Sequence, residues 1–356
     1  MGKIEAEAAY AIEANQKPLS EEIVSRQYGV QAEIWETYGK EGREKSTRDM
    51  EYHLKYLIEA IRTDDLFLFK HYVDWLKILF RGLQFSDNVL PVMLNCMQAV
   101  LKERLPEELS PIVSKHMAAV SSQLQACDQS QTPFIQEGHP MGNLAKKYLE
   151  SLLAGYKKTA SRLIMNAYHE GASIKDIYLQ VFQPSQREIG RLWQRNEVSV
   201  AQEHFASAAT QLIMSQLYTH IFSTEKIGLR LVAACVSEEL HEIGIRMVAD
   251  FFELEGWDSF YLGANLPPSS VIQAVIDYEA DILALSCTIP LHQRELENMI
   301  AKVRSDERAR DIKIIVGGYS LNTFGDAWKR AGADGHAPDA ENAVLLAERL
   351  LTDKKS

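Results

Sequence analysis

The stretch Glu239-Leu240-His241-Glu242-Ile243-Gly244 carries the residue types and spacing best suited to chemistry in this chain. It sits where an apolar run, Leu229 to Val236, gives way to a helical pattern. A histidine at the carboxyl end of a parallel strand, with a carboxylate shortly before it and a glycine shortly after, suits an axial metal ligand. The carboxylate can accept the proton of the imidazole nitrogen that faces away from the metal. That fixes the tautomer and raises the basicity of the other nitrogen. Gly244 leaves room for a bulky ligand against the backbone. Taken alone, the hexamer reads as a surface loop leading into a helix.

The following segments give the hexamer a context. Asp258 to Gly263 is strand-like, Ile282 to Thr288 is a buried strand ending in the hydroxyls of Ser286 and Thr288, and Ile312 to Val316 runs into Gly317-Gly318. Helical patterns separate these strands, so their carboxyl ends can converge on one site, where open α/β sheets bind ligands. The order E-x-H-x-x-G, then S-x-T, then GG resembles the cobalamin-binding domain of B12 proteins from roughly Gly228 to the C-terminus. The resemblance implies that His241 replaces the nucleotide base under cobalt, and that the displaced tail threads into the sheet beside Ser286, Thr288, Gly317 and Gly318. Glu239, Gly244 and Gly263 complete the expected cofactor-binding set on this side.

The elements that must position these residues form an expected multidomain α and α/β chain. Residues 225–356 predict a doubly wound, five-stranded parallel (Rossmann-like) sheet, with a short last strand around Ala333 to Ala337 and Pro267-Pro268 opening the second crossover helix. Residues 142–224 predict a helical bundle that caps the sheet. Its helices read Lys157 to Glu170, closed by Gly171, then Ile174 to Phe182, capped by Ser173 and stopping near Pro184, and a long one from about Val200 to Ile221. The polar segment 125–141 reads as a linker. Residues 19–124 read as an all-helical domain, with helices Asp49 to Arg62, Leu66 to Leu83, Asp87 to Glu103 and Pro106 to Leu124, behind a tail of residues 1–18.

A second constellation lies in the cap. Trp193 is followed after nine residues by Glu203-His204. A large indole can cover an apolar face, and a carboxylate and an imidazole nearby can hydrogen-bond a sugar. In isolation these are a core tryptophan and surface helix polars. Beside a B12-type sheet, W-x9-E-H resembles the helical cap of the light-sensing B12 proteins of the CarH-like photoreceptor class. That resemblance implies adenosylcobalamin as the cofactor, with Trp193 and Val200 packing on the adenosyl group, Glu203 binding its ribose and His204 supporting the pocket or a subunit contact. Glu239, rather than Asp, also fits that branch. Two departures stand out. The N-terminal region is long, acidic and lacks a basic recognition helix, and Gln194 occupies the place of the histidine that becomes the upper cobalt ligand after photolysis in the regulators.

An N-terminal helical domain fused to a B12 cap and sheet resembles the photocobilins, which carry biliverdin beside the corrinoid. Tyr52, Tyr56, Phe67, Phe69, Tyr72, Trp75, Phe80 and Phe85 suit a flat tetrapyrrole, and His53, His71 and His116 could bond its polar groups. They equally suit an ordinary helical core.

Composition narrows the classes. The chain has 356 residues, 46% hydrophobic and 24% charged, with a formal net charge of −11. This reads as a soluble, cytoplasmic protein of two or three domains with no direct nucleic-acid partner and no membrane span. Met1 to Asn15 has no secretory pattern. Cys96, Cys127, Cys235 and Cys287 lack C-x-x-C spacing, which argues against disulfides and structural zinc. A zinc protease would need His where Ile245 stands, and a dinucleotide fold would need G-x-G-x-x-G at the first strand-to-helix turn.

The expectation is therefore a light sensor rather than an enzyme, with no catalytic residues of its own. In it, light breaks the cobalt–carbon bond and the loss of the adenosyl group changes packing, self-association as a homo-oligomer, or binding of a separate effector. The rival is a corrinoid protein that carries methyl between methyltransferases. It would share His241, Ser286 and the glycine pair but would not need the W-x9-E-H lid.

Overall fold

A computed structural model describes residues 2–121, 132–136, 138–222 and 224–352. Cys127, with residues 125–131 and 137 of the segment expected as a linker, lies outside the described residues. The chain packs as two compact units: Met1–Thr132 with Arg191–Val198, and Pro133–Gly190 with Ser199–Ser356.

The first unit is helical. Its main helices are Lys3–Ala14, Gln16–Val30, Gly39–Thr63, Leu66–Gly82, Val89–Arg104 and Ser110–Ser121. Residues 1–18, read from sequence as a tail, are helical from Lys3 onward. The reason is local: Ala8, Ala9 and Ile12 fall on one face and are fully buried. Asp64, in the left-handed region at φ 49°, closes the helix Gly39–Thr63, and the Asp65 side chain accepts a hydrogen bond from Phe67 N to cap the next one. Of the aromatic set, Tyr56, Phe69 and Tyr72 are buried, whereas Tyr52 and Phe67 are exposed.

The second unit combines a helical bundle with the sheet. The sheet has the order β2-β1-β3-β4-β5, with β1 Arg230–Cys235, β2 Asp258–Gly263, β3 Ile282–Ser286, β4 Lys313–Gly317 and β5 Gly335–His336. All four pairings are parallel. Leu231 to Cys235 and Ile282 to Leu285 are buried because helices cover both faces: Ile243–Leu254 with Ala340–Thr352, and Pro268–Asp277 with Gln293–Ser305. The edge strand β2 is only half-buried, as an outer position dictates. Pro268 stands in the first turn of its helix, where a missing N–H costs nothing.

In the bundle, the helix from Ile174 does not stop at Pro184. It passes through a π turn, Tyr178–Phe182, and continues as Gln183–Gln194. The Gln183 amide reaches the Tyr178 carbonyl five residues back, and this widened turn accommodates a proline whose ring would clash with an ordinary α-helical carbonyl. The long helix spans Val200–Ile221. Ser199 and Gln202 form a reciprocal cap at its start, and it packs on Gly142–Leu153 and on Ile243–Leu254.

Candidate functional site

The strand order reverses between β1 and β3, so a crevice opens at the carboxyl ends of these two strands. The turn after β1 enters that crevice. Glu239 N bonds Val236 O at 3.2 Å, Asn265 N reaches Glu239 O at 3.0 Å, and Ser237 Oγ reaches Leu266 O at 2.9 Å, so the loops after β1 and β2 hold each other.

Glu239 is fully buried. Its Oε1 accepts from His241 N at 3.0 Å and lies 2.5 Å from His241 Nδ1. Its Oε2 accepts from Thr288 N at 2.8 Å and Ile289 N at 2.9 Å, and lies 3.0 Å from His292 Nδ1. An unpaired buried carboxylate costs several kcal/mol. Charge-assisted hydrogen bonds contribute roughly 1.5–3 kcal/mol each, so these partners offset that cost. Burial raises the Glu239 pKa, but the bonds from His241 and His292, the His241 charge and the Ile289 amide outweigh it and hold the carboxyl well below its ordinary range.

The same pairing prepares His241. With a carboxylate as its acceptor, Nδ1 carries the proton and Nε2 keeps its lone pair. The ring is 59% exposed, so this face is open to a ligand. The hydrogen bond to Glu239 raises the His241 pKa against the effect of burial, with further contributions from the charges of Glu239 and Glu203.

Glu203 therefore lies close enough to His241 to act on it. It occupies the first turn of the helix Val200–Ile221, accepts from Ser207 Oγ at 3.0 Å and lies 3.4 Å from His204 Nε2. His204 and Val200 are exposed. Further along, Gln211 Nε2 donates to Glu242 Oε1 at 2.9 Å, Tyr261 Oη donates to Glu242 Oε2 at 2.9 Å, and Arg246 donates to Ser215 Oγ at 2.8 Å. Glu203, Ser207, Gln211 and Ser215 thus form a polar stripe directed at the strand ends. Their i, i+4 spacing was readable in the sequence, but only Glu203 was singled out. His292 and Tyr261 were also missed.

The glycines divide into two kinds. A Cβ on Gly244 would meet nothing within 4 Å, which leaves the open space expected there. Gly317 and Gly318 are needed by the protein's own backbone. A Cβ on Gly317 would lie 2.8 Å from Ala337 O, and one on Gly318, at φ 109°, would lie 2.4 Å from Cys287 O. Gly263 also has a positive φ, 89°, with Glu242 Oε2 at 3.3 Å from a built Cβ. Ser286 is buried at the end of β3, paired with Cys235 on one side and Gly317 on the other. Thr288 contributes its backbone amide to Glu239.

Trp193 counts with the first unit, where its ring lies 6.1 Å from that of Trp75. Gln194 is buried there, and its side chain donates to Trp75 O at 2.9 Å. His53 is bonded to Tyr72 at 2.7 Å, and both ring nitrogens of His116 face backbone carbonyls, Ile112 O at 3.0 Å and Ala60 O at 3.1 Å. A cleft of about 830 Å³ opens at the amino-terminal end of the sheet, lined by Leu229, Val275, Arg308 and Ile312 among others. It is remote from the strand ends that carry His241.

Among the described residues, no three His, Cys, Asp or Glu side chains converge as a metal-binding set. A metal held through His241 would have to bring its other ligands with it, and a corrin does so. The donor chemistry and the open space at Gly244 therefore fit a cobalt corrinoid.

Comparison with known proteins agrees. Residues 229–345 match the B12 binding domain family, and residues 144–218 match a second B12 binding domain family. Dimethylamine corrinoid protein 2 of Methanosarcina acetivorans is 26% identical over 132 residues, 37% of this chain and 59% of that protein. The HTH-type transcriptional repressor CarA of Myxococcus xanthus is 32% identical over 150 residues, 42% of this chain and 50% of the repressor. This chain thus spans about three fifths of the first relative's length and half of the second's. The Methanosarcina barkeri monomethylamine corrinoid protein shares the fold, with a TM-score of 0.52 at 16% identity, over 58% of this chain and 99% of that one. No helix among the described residues is long and apolar enough to cross a membrane. With one B12 binding domain at 144–218 and another at 229–345, this chain is a cobalamin-binding protein.

Proposed function

We propose that this chain is an adenosylcobalamin-binding light sensor in which His241 would hold the cobalt through its imidazole. The observation that supports the reading is that the charge of Glu203 reaches His241 within one unit, as it would if the carboxylate of W-x9-E-H and the imidazole served one site. When bound, the corrinoid supplies a weak cobalt–carbon bond that visible light cleaves.

The residues of this chain do the rest. Glu239 orients His241 and keeps its proton on Nδ1. Glu203, held by Ser207, accepts from ribose hydroxyls, and Val200 offers an exposed apolar surface beside it. Trp193 covers the adenosyl group by the sequence spacing alone. His204 stands beside Glu203 as a support or subunit contact. Ser286, Thr288, Gly263, Gly317 and Gly318 shape the strand ends for the nucleotide tail. Ligand loss relaxes the helix that carries Glu203, and the output is a changed homo-oligomer or capture of a separate effector protein.

The reading also places biliverdin in residues 19–124, supported by the aromatic density of the first unit. Adding biliverdin to the purified chain and looking for a bound red-absorbing band tests this part separately. The main test is the absorbance of the reconstituted protein before and after green light. Conversion away from an alkylcobalamin spectrum is expected, and an unchanged spectrum refutes the sensor.

A second reading, a corrinoid methyl carrier, is favoured by the corrinoid-protein relatives and by the shared fold. Competition between adenosylcobalamin and methylcobalamin separates the two, because a methyl carrier has no use for adenosyl selection.

A further inference from the structure

The first unit holds a continuous run of aromatic rings of which only Trp193 belongs to the proposed corrinoid site. Trp193 lies 6.1 Å from Trp75, and Trp75 lies 6.2 Å from Tyr72 with the rings only 12° from parallel. Tyr72 in turn stacks on Tyr56 at 3.6 Å and 6°. The run starts at a half-buried indole and reaches, at Tyr72, a phenol that is 3% exposed. Packing alone accounts for the burial of these rings. What sets Tyr72 apart is the partner its buried hydroxyl takes, the imidazole of His53, a base whose Nδ1 is 2.7 Å from Tyr72 Oη.

That partner changes what Tyr72 can do. Burial holds His53 down at about 4, so at neutral pH the ring is uncharged, and in the tautomer with its proton on Nε2 its Nδ1 accepts the phenol's hydrogen bond. A phenol inside a protein resists losing an electron alone, because the resulting cation would be buried without compensation. A base already bonded to the hydroxyl lowers this obstacle, since the proton leaves with the electron along the existing bond and the charge rests on an imidazole, which holds a proton far better than an oxidised phenol does.

We propose that Trp193, Trp75 and Tyr72 form a one-electron relay in which a hole made at Trp193 comes to rest on Tyr72, with His53 taking the proton. A one-electron oxidant of the diffusible radical class takes one electron from Trp193 and is reduced by it. Trp75 then supplies an electron to Trp193, and Tyr72 supplies one to Trp75. As Tyr72 is oxidised, its O–H bond breaks and the proton forms an N–H bond at His53 Nδ1. The products are a neutral tyrosyl radical, a protonated His53 and both tryptophans restored. All these groups lie in the first unit, and none of the steps needs a corrinoid.

The test is pulse radiolysis of the full chain with azide radicals, following tryptophanyl and tyrosyl absorbance, with freeze-quenched electron paramagnetic resonance to identify the final radical. In the parent protein, a tryptophanyl signal should decay as a tyrosyl signal grows. Tyr72→Phe, Trp75→Phe and Trp193→Phe should each remove that phase. Trp75→Phe leaves the Tyr72–His53 pair untouched, so its loss cannot be ascribed to a damaged end point, and circular dichroism confirms that each variant is folded. His53→Gln keeps a hydrogen-bond acceptor without a base, and should slow tyrosyl formation and change its solvent deuterium isotope effect. A tyrosyl yield equal in the parent and the three relay variants would overturn the proposal, as would a parent protein that forms no tyrosyl radical.

Discussion

Nδ1 of His241 lies 2.5 Å from Oε1 of a Glu239 that is wholly out of water, while the same carboxylate holds His292 at 3.0 Å through its other oxygen. One buried charge thus fixes two imidazoles and three backbone amides. Glu239→Gln keeps the volume but turns one acceptor into a donor that faces donors. Cobalamin affinity should fall roughly 10–100-fold, as for other outer partners of a ligating histidine. Stability should fall by about 2–4 kcal/mol. Titration calorimetry with cobalamin and urea unfolding measure the two effects, and parent-like affinity would contradict the assigned role.

His241→Ala removes the imidazole itself. Corrinoid that still binds should lack the axial histidine and show a shifted spectrum, and weaker retention on a desalting column is expected. An unchanged spectrum and affinity would exclude His241 as the lower ligand.

Gly318 and Gly244 should respond in opposite ways to the same added methyl. At Gly318 the backbone sits at φ 109° and ψ 163°, and Cys287 O would be 2.4 Å from the new Cβ, so Gly318→Ala should cost roughly 3 kcal/mol or more. At Gly244 nothing lies within 4 Å and the residue is helical, so Gly244→Ala should raise stability by about 0.5–1 kcal/mol. Cobalamin binding should nevertheless weaken in Gly244→Ala, because the methyl occupies the space reserved for the ligand. Urea unfolding and equilibrium binding on both variants check this, and equal affinity in Gly244→Ala and parent would remove Gly244 from the site.

The sheet was legible because each strand is an apolar run closed by a helical pattern, and its five strands and parallel order follow from that alternation. The pair Glu239 and His241 was legible because two residues suffice to state it. His292 was not, since it stands 53 positions from Glu239 and reaches it through a short 3-10 turn, Pro290–His292, that has no periodic signal. The helix through Pro184 was misread because proline normally ends a helix, and a π turn leaves no mark in composition. The polar stripe on the helix Val200–Ile221 was hidden by its opposite face, where Ala206, Ala209, Ile213 and Leu217 dominate the pattern.

Asp250 supplies a pH signature of the second unit. It is 2% exposed and accepts from Tyr178 Oη at 2.7 Å. Burial pushes its carboxyl up to about 6, against the opposing effects of Tyr178, Tyr218 and Arg246. With the unfolded value near 3.8, both states are protonated below that pH. As the pH rises from there to 6, the unfolded chain releases its proton first, so stability falls across this window and the loss is complete above it. The effect is on the order of 2–3 kcal/mol. Asp250→Asn cannot titrate, so its stability relative to the parent should rise between pH 4 and pH 7. Urea unfolding at several pH values measures the difference, and a difference independent of pH would refute the assignment.

Trp193→Ala tests adenosyl selection apart from corrinoid binding. In the proposed function the indole covers the adenosyl group, whereas His241 and the strand-end loops would hold the corrin whatever its upper substituent. Truncation should therefore leave methylcobalamin affinity near that of the parent and lower adenosylcobalamin affinity. An indole in contact with a flat base contributes on the order of 1–2 kcal/mol, so the adenosyl-over-methyl preference should drop roughly tenfold. The comparison with Glu203→Gln is informative because that variant keeps the indole and removes only the charged acceptor. It should lower the same preference by a smaller factor. Equal ratios of adenosylcobalamin to methylcobalamin affinity in the parent and both variants would remove Trp193 and Glu203 from adenosyl selection.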